Sequence, residues 1–169
     1  MLSQDLRTEH FRQSMRRVAS TVCVISCRHD GLRYGITVTS VTPLSFAPVS
    51  ILACINRKSS ISVPLKEERY YCINVLRASQ ADVSNSFSGG RPAERRFDIG
   101  EWTEKEGIPY LQSAQANLFC EMDQVISYAT HDIVIGRVVG VTFASDVDPL
   151  IYQDGAYALT SPMVLQKAG

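Results

Sequence analysis

The chain has 169 residues, which suits one domain large enough to bury a sizeable core. It is 45% hydrophobic and 20% charged, a balance that argues against a disordered chain or a fibrous repeat. Lys and Arg number 17, as do Asp and Glu, so the overall charge offers no broad attraction to nucleic acid or to an anionic membrane. No apolar run has the length of a signal-peptide core or a membrane span, which predicts a cytoplasmic protein that binds neither nucleic acid nor membrane.

The first third of the chain changes from a helical to an alternating pattern of apolar residues. In TVCVISC, Val22 and Val24 fall on one face of a strand and Ile25 on the other, and a glycine follows where a tight turn needs one. The predicted elements are an amphipathic helix at 4–19 with Ser3 as N-cap, a strand at 21–27 with its turn at 29–31, a strand at 32–46 that ends near Pro43, and a buried strand at 48–56.

The rest of the chain adds short helices and more strands. The predicted elements are a helix at 59–68 with a Ser cap, a strand at 69–76, a helix at 79–87 with a capping box from Ser79 to Asp82, a basic loop at 88–98, strand-rich stretches at 117–127 and 131–145 joined by 128–130, and a closing hairpin at 149–160 around Asp154 and Gly155. Six or more strands with only short helices favour an antiparallel barrel or sandwich with a Greek-key element. The two common nucleotide-binding motifs, the P-loop and G-x-G-x-x-G, are missing.

The five cysteines are scattered and form no C-x-x-C pair. Four of them lie in β-branched or apolar surroundings, which predicts reduced core residues. A zinc site using Cys23, Cys27 and His29 would have unusual spacing and would lack a fourth ligand. We therefore predict no metal site.

Three segments are rich in hydroxyl, amide and guanidinium groups: GITVTSV at 35–41, CINRKSS at 54–60 and SGGRPAERRF at 88–97. Such groups suit a phosphate ester, while Val38, Ile55 and Phe97 could contact a flat ring. In the alternative interpretation the hydroxyls satisfy turns, and Arg95 and Arg96 are solvated.

In this order, these segments resemble the flavin reductase-like, FMN-binding split-barrel family, which includes the small reductase components of two-component flavin-dependent monooxygenases. The resemblance also includes FRQSMRRVASTVCVIS, YYCINVLRASQADVSNSFSG, GIPYLQSAQANLFCEM, THDIVIGRV and PLIYQDGAYALT, so it covers nearly the whole chain. It implies a mainly β fold, an antiparallel Greek-key split barrel with a few short peripheral helices, formed as a single domain over residues 1–169.

The resemblance also implies the site residues. The isoalloxazine and ribityl chain would be lined by Gly35, Thr37, Val38, Thr39 and Ser40. The flavin phosphate would be cradled by Asn56, Arg57, Lys58, Ser59 and Ser60, with Cys54 and Ile55 in the strand before them. Phe87, Arg96 and Phe97 would cap the phosphate or the adenylate end of FAD. His131 would lie beside the flavin where the nicotinamide stacks, with Ala129 in place of the family's turn glycine and Asp132 pointing away from His131.

The implied activity is hydride transfer from NADH or NADPH to FMN or FAD, with His131 positioning the nicotinamide. The implied partners are a second copy of the chain in a homodimer and an oxygenase that receives reduced flavin. Two other functions fit the same segments: a flavin-binding module that stores FMN or transfers electrons without reducing free flavin, and a plain β-barrel interaction domain. The sequence does not distinguish FMN from FAD or NADH from NADPH.

Overall fold

A computed structural model describes residues 3–163. The strands of this part are β1 Ser20–Thr21, β2 Cys23–His29, β3 Leu32–Val38, β4 Val41–Phe46, β5 Val49–Asn56, β6 Tyr70–Val75, β7 Trp102–Lys105, β8 Ile108–Leu111, β9 Ala116–Tyr128, β10 His131–Phe143, β11 Ile151–Gln153 and β12 Ala156–Ala158. The helices are α1 Gln4–Met15, α2 Ser62–Glu67 and α3 Ala81–Asn85, with short helical turns at Ala78–Gln80, Ser86–Gly90 and Ala93–Asp98. The ends of the predicted domain, residues 1–2 and 164–169, lie outside the described residues. Among the helices of residues 3–163, none is long and apolar enough to cross a membrane.

Seven strands form one antiparallel sheet in the order β3-β2-β6-β9-β10-β5-β4. Its two edge strands, β3 and β4, are joined in the sequence by Thr39 and Ser40 alone. Because so short a link spans about 11 Å at most, the two edges must lie close together and the sheet must curl into a barrel. The Ser40 carbonyl accepts a hydrogen bond from Cys54 N across this corner at 3.2 Å. We call the junction of β3 with β4 and β5 the seam.

The barrel has a filled interior. The alternation of β2 sends Cys23, Ile25 and Cys27 inward, where they pack with buried residues of β3, β5, β6, β9 and β10. Helix α2 closes one end, since Leu65 and the preceding Ile61 belong to the same buried cluster. A flat ligand therefore has no room inside the barrel and must bind on its outer surface.

A second buried cluster lies on the outer face of β2. Val22 and Val24 belong to one buried cluster with Phe87, Phe97 and Leu111, which come from the segment 78–98 and from the β7–β8 hairpin. The faces predicted for Val22 and Val24 are thus confirmed, and both faces of this strand are buried.

Most of the predicted strands are confirmed, including the closing hairpin, in which Asp154 and Gly155 have φ of +52° and +83°. The prediction of one strand over 32–46 is wrong, because Thr39 and Ser40 carry the chain from one sheet edge to the other. The β7–β8 hairpin was not predicted. Its turn residues Glu106 and Gly107 both have positive φ.

The helices are confirmed in position but differ in their ends. Helix α1 begins after Ser3, whose hydroxyl oxygen accepts a hydrogen bond from Leu6 N at 3.4 Å, but it ends at Met15 rather than at residue 19. The Ser cap predicted for α2 is wrong, since Ile61 is its N-cap. The capping box predicted from Ser79 to Asp82 is also wrong: it runs from Arg77 to Gln80, two residues earlier, and Gln80 Oε1 accepts from Arg77 N at 2.8 Å.

Candidate functional site

The predicted site residues lie on both sides of the seam, mostly on the outside of the barrel. Gly35 and Thr37 share the outer face of β3, because Thr37 pairs with the outward Val24, and Thr39 follows directly after the strand. Val38 and Ile55 alternate inward and are only 8% and 1% exposed. The Ile55 side chain is thus enclosed in the barrel, whereas Val38 still borders the cavity beside Thr37 and Thr39.

Gly35 is packed directly against Phe87. A Cβ atom on residue 35 would lie 2.5 and 2.7 Å from two ring carbons of Phe87, so only glycine fits without a shift. Phe87 is 1% exposed and meets Phe97 and Trp102 in an aromatic cluster, with ring centroids 4.9 and 5.1 Å away. The Phe87 ring is thus buried against the outer face of β3 and does not reach the surface where it was predicted to cap the phosphate or the adenylate end of FAD.

Arg96 joins the basic loop to both sides of the seam. Its Nη1 donates to the Ser60 hydroxyl at 3.1 Å and to the Gly35 carbonyl at 3.3 Å. The loop itself is fixed by the Ser86 hydroxyl, which donates to the Arg96 carbonyl at 2.9 Å. These residues border a cavity of about 420 Å³ whose wall includes Phe97. The structure thus brings Gly35, Ser60, Arg96 and Phe97 together at one cavity.

The loop after β5 is organised by Asn56. Its side-chain Oδ1 accepts from Lys58 N at 2.9 Å, and its carbonyl accepts from the Ser59 hydroxyl at 2.7 Å. This turn exposes Asn56, Arg57 and Lys58, and leaves Ser59 half-buried. A tight loop of this kind presents hydroxyl and cationic groups together at the end of a strand.

His131 is brought to the same loop by the β9–β10 turn. It pairs with Asn56 across the β5–β10 ladder, and its ring is exposed. Its Nδ1 lies 2.9 Å from the Thr130 hydroxyl oxygen. Ala129 stands where the family has a turn glycine. In the structure this alanine adopts the left-handed conformation that a glycine would take, with φ of +48°.

Ser40 and Cys54 link the loop to the seam. The Ser40 hydroxyl donates to the Cys54 carbonyl at 2.9 Å. All five cysteines are free thiols; Cys54 is half-buried on the outer face of β5, and the four others are buried, as predicted. Burial raises the pKa of Cys23, Cys27 and Cys120 to about 12, so these thiols stay protonated at neutral pH.

Residues that the sequence did not single out also line this surface. A cavity of about 380 Å³ beside Thr37 and Thr39 is lined by Ser84, Asn85 and Tyr157. The Thr37 hydroxyl donates to the Ser84 carbonyl at 2.7 Å. The Tyr157 hydroxyl lies 2.9 Å from Ser84 Oγ and 2.8 Å from Asn85 Oδ1. In the sequence, the polar run Ser84–Asn85–Ser86 directly before Phe87 could have indicated this part of the surface.

A family model described as flavin reductase like domain matches residues 15–161. The chain belongs to this family. The reductase component of an FADH₂-dependent resorcinol hydroxylase from Rhizobium sp. is 36% identical over 157 residues, which cover 91% of this chain and 88% of that protein. The FMN reductase (NADH) RutF from Pseudomonas syringae pv. syringae is 36% identical over 143 residues, which cover 84% of this chain and 80% of that protein. The crystal structure of a flavin reductase domain protein from Arthrobacter sp. superposes with a TM-score of 0.87 at 24% identity, covering 94% of this chain and 99% of that one.

The family and the split-barrel fold predicted from the sequence are thus confirmed. The outer surface of this flavin reductase-like domain also fits a flavin chemically. The guanidinium of Arg96 and the hydroxyl of Ser60 lie 3.1 Å apart, and Arg57 and Lys58 add two positive charges to the neighbouring loop. Guanidinium and hydroxyl donors of this kind are suited to the phosphate of FMN or the pyrophosphate of FAD.

Proposed function

We propose that this protein is an NAD(P)H:flavin oxidoreductase that reduces FMN or FAD and supplies the reduced flavin to a partner oxygenase. One observation carries the proposal: His131 pairs with Asn56, at the start of the loop that holds Ser59 and Ser60. A positioning imidazole and a set of phosphate donors are therefore neighbours on the outside of the barrel. The names of two similar proteins, a hydroxylase reductase component and an FMN reductase (NADH), support this activity.

Different residues around the seam would bind different parts of the flavin. Arg96, Ser59 and Ser60 would hold the phosphate, while Thr37, Val38 and Thr39, which line the cavity beside β3, would support the ring and ribityl chain. The flavin, when bound, supplies the hydride acceptor, so no side chain has to form a covalent bond with the substrate. The protein contributes orientation of the donor against the acceptor.

His131 would orient the nicotinamide. The Thr130 hydroxyl occupies Nδ1 at 2.9 Å, which leaves Nε2 for a hydrogen bond with the carboxamide of the nicotinamide. Asp132 does not contact the His131 ring, because it alternates into the barrel. The imidazole therefore positions the donor and is not paired with a carboxylate as a general base would be.

An NAD(P)H oxidation assay tests the proposal directly. Purified protein is given NADH or NADPH together with FMN, FAD or riboflavin, and the absorbance of the nicotinamide is followed. We expect oxidation with FMN or FAD and a higher KM for riboflavin, which lacks the phosphate. Protein that binds flavin without oxidising NAD(P)H would instead be a storage or electron-transfer module, and protein that binds no flavin would be an interaction domain.

We also propose that the protein is a cytoplasmic homodimer and that residues 1–169 fold as one domain. The support for a dimer is helix α1, where Leu6, Phe11 and Met15 are 43%, 67% and 48% exposed. Side chains of this kind gain free energy when a second chain covers them. Sedimentation velocity tests the proposal, since a dimer sediments with twice the mass of the 18.7 kDa chain.

A further inference from the structure

Asp132 is a buried carboxylate beside His131 that hydride transfer does not use. Its side chain is 1% exposed and meets side chains from three other segments. Asp132 Oδ1 accepts from the Ser127 hydroxyl at 2.6 Å, and Oδ2 accepts from Lys66 Nζ at 3.0 Å. Arg57 Nε lies 3.8 Å from Oδ1. The Ser127 hydrogen bond and the Lys66 charge hold the pKa of Asp132 below its usual value, so the carboxylate is ionised at neutral pH.

Arg57 connects this carboxylate to the β9–β10 turn. Its backbone N–H donates to the Thr130 carbonyl at 3.0 Å, and its Nη1 donates to the Ala129 carbonyl at 3.4 Å. Ala129 has a φ of +48°, which is unfavourable for a residue with a Cβ atom. Hydrogen bonds from Arg57 therefore hold the turn in a conformation that its own sequence disfavours.

The same carboxylate also fixes the other side of the loop. Lys66 belongs to α2, and α2 follows directly after the loop of Ser59 and Ser60. Through Lys66 and Arg57, Asp132 thus contacts the helix at one end of the phosphate loop and the residue near its other end. His131 immediately precedes Asp132 in β10, so a shift of Asp132 moves the imidazole as well.

We propose that Asp132 is a positioning residue that holds the phosphate loop and the His131 turn in one arrangement, so that flavin binding and nicotinamide binding are coupled. This inference rests on the proposed function. Asp132 projects toward a barrel interior that includes the apolar side chains of Ile55 and Val134. An apolar residue at this position would pack there without the desolvation cost of a buried charge, so stability alone does not account for the carboxylate.

The test compares Asp132→Asn with the wild type. We expect the flavin Kd and the nicotinamide KM each to rise about 5-fold or more, with kcat within about 2-fold, because the variant loses the shared arrangement of the phosphate loop and the His131 turn and not the chemistry. Flavin-free protein gives an independent readout: the amide of Arg57, which donates to the Thr130 carbonyl, should exchange its hydrogen about 10-fold faster in the variant. Asp123→Asn is the matched control, since this half-exposed carboxylate lies on β9 and contacts Arg137 at 3.6 Å.

A second variant keeps the inference testable if Asp132→Asn does not fold. Arg57→Gln leaves the carboxylate in place and should produce the same rise in nicotinamide KM. Unchanged flavin Kd, nicotinamide KM and Arg57 exchange in folded Asp132→Asn would overturn the inference, and so would a lower Tm without those changes. In both cases the reductase activity of the wild type would stand. If the wild type itself binds no flavin, the proposed function fails and, with it, the coupling.

Discussion

Replacing Ala129 with glycine should stabilise the protein, although glycine destabilises most folded positions. Ala129 has a φ of +48°, a conformation that costs a residue with a Cβ atom about 1–2 kcal/mol. Glycine adopts it without this cost but adds about 0.4–1 kcal/mol of conformational entropy to the unfolded chain. The difference is a gain of about 0.5–1 kcal/mol, and 1 kcal/mol corresponds to about 2–4 °C in Tm for a chain of this length. The hydrogen bond from Arg57 to the residue 129 carbonyl is unaffected, since it involves only the backbone of that residue.

Urea unfolding followed by the fluorescence of Trp102 measures this gain. Ala156→Gly is the control, because Ala156 is an exposed residue of strand β12 and is not among the residues with positive φ. At position 156 the substitution should lower the free energy of unfolding by about 0.5–1 kcal/mol. If both variants lose the same stability, the turn at Ala129 is not left-handed in solution and the account of the Arg57 contacts is wrong.

Three other substitutions test the packing, the electrostatics and the site. Gly35→Ala should lower the free energy of unfolding by about 1–3 kcal/mol, because the new methyl group would meet the buried ring of Phe87 at 2.5 Å; an unchanged urea midpoint would refute that contact. The hydrogen bond with Glu68 raises the pKa of His29 above its ordinary 6.5, so this pair adds stability below the ordinary pKa and loses it as the pH rises through the raised one. His29→Gln should therefore be less stable than the wild type in mild acid and equally stable in alkali, and a constant difference would contradict this. His131→Ala should lower kcat/KM for the nicotinamide by about 10–100-fold without shifting the unfolding midpoint, whereas unchanged kcat and KM would remove the imidazole from the mechanism.

Sequence patterns predicted the parts of the fold that depend on residues close together in the sequence. Two-residue alternation assigned the faces of β2 correctly, because inward and outward side chains of a strand differ by one position. The Asp154–Gly155 pair likewise indicated a hairpin, since both residues tolerate positive φ. The corner at Thr39 and Ser40 carries no such signal. Both residues suit a strand, and only closure of the whole barrel bends the chain there.

The site was predictable as a set of segments but not as a set of side-chain directions. The resemblance placed His131 and the Asn56 loop in one site, and the structure makes them neighbours. It could not show that the Phe87 ring is buried against Gly35, because that depends on packing with Trp102. Tyr157 was missed for a similar reason, since its contact with Ser84 joins residues far apart in the sequence.

The seam determines when the binding surface forms during folding. Strands β9 and β10 are joined by a two-residue turn, so their contacts are local and can form early in folding. Strand β5 pairs with β10 across a long stretch of sequence, and Arg96 reaches Ser60 only once that pairing has brought the edges together. A partly folded chain therefore has no complete site. A ligand that contacts both sides of the seam binds the closed barrel alone, so the whole of its binding free energy at a given concentration is added to the stability of the native state.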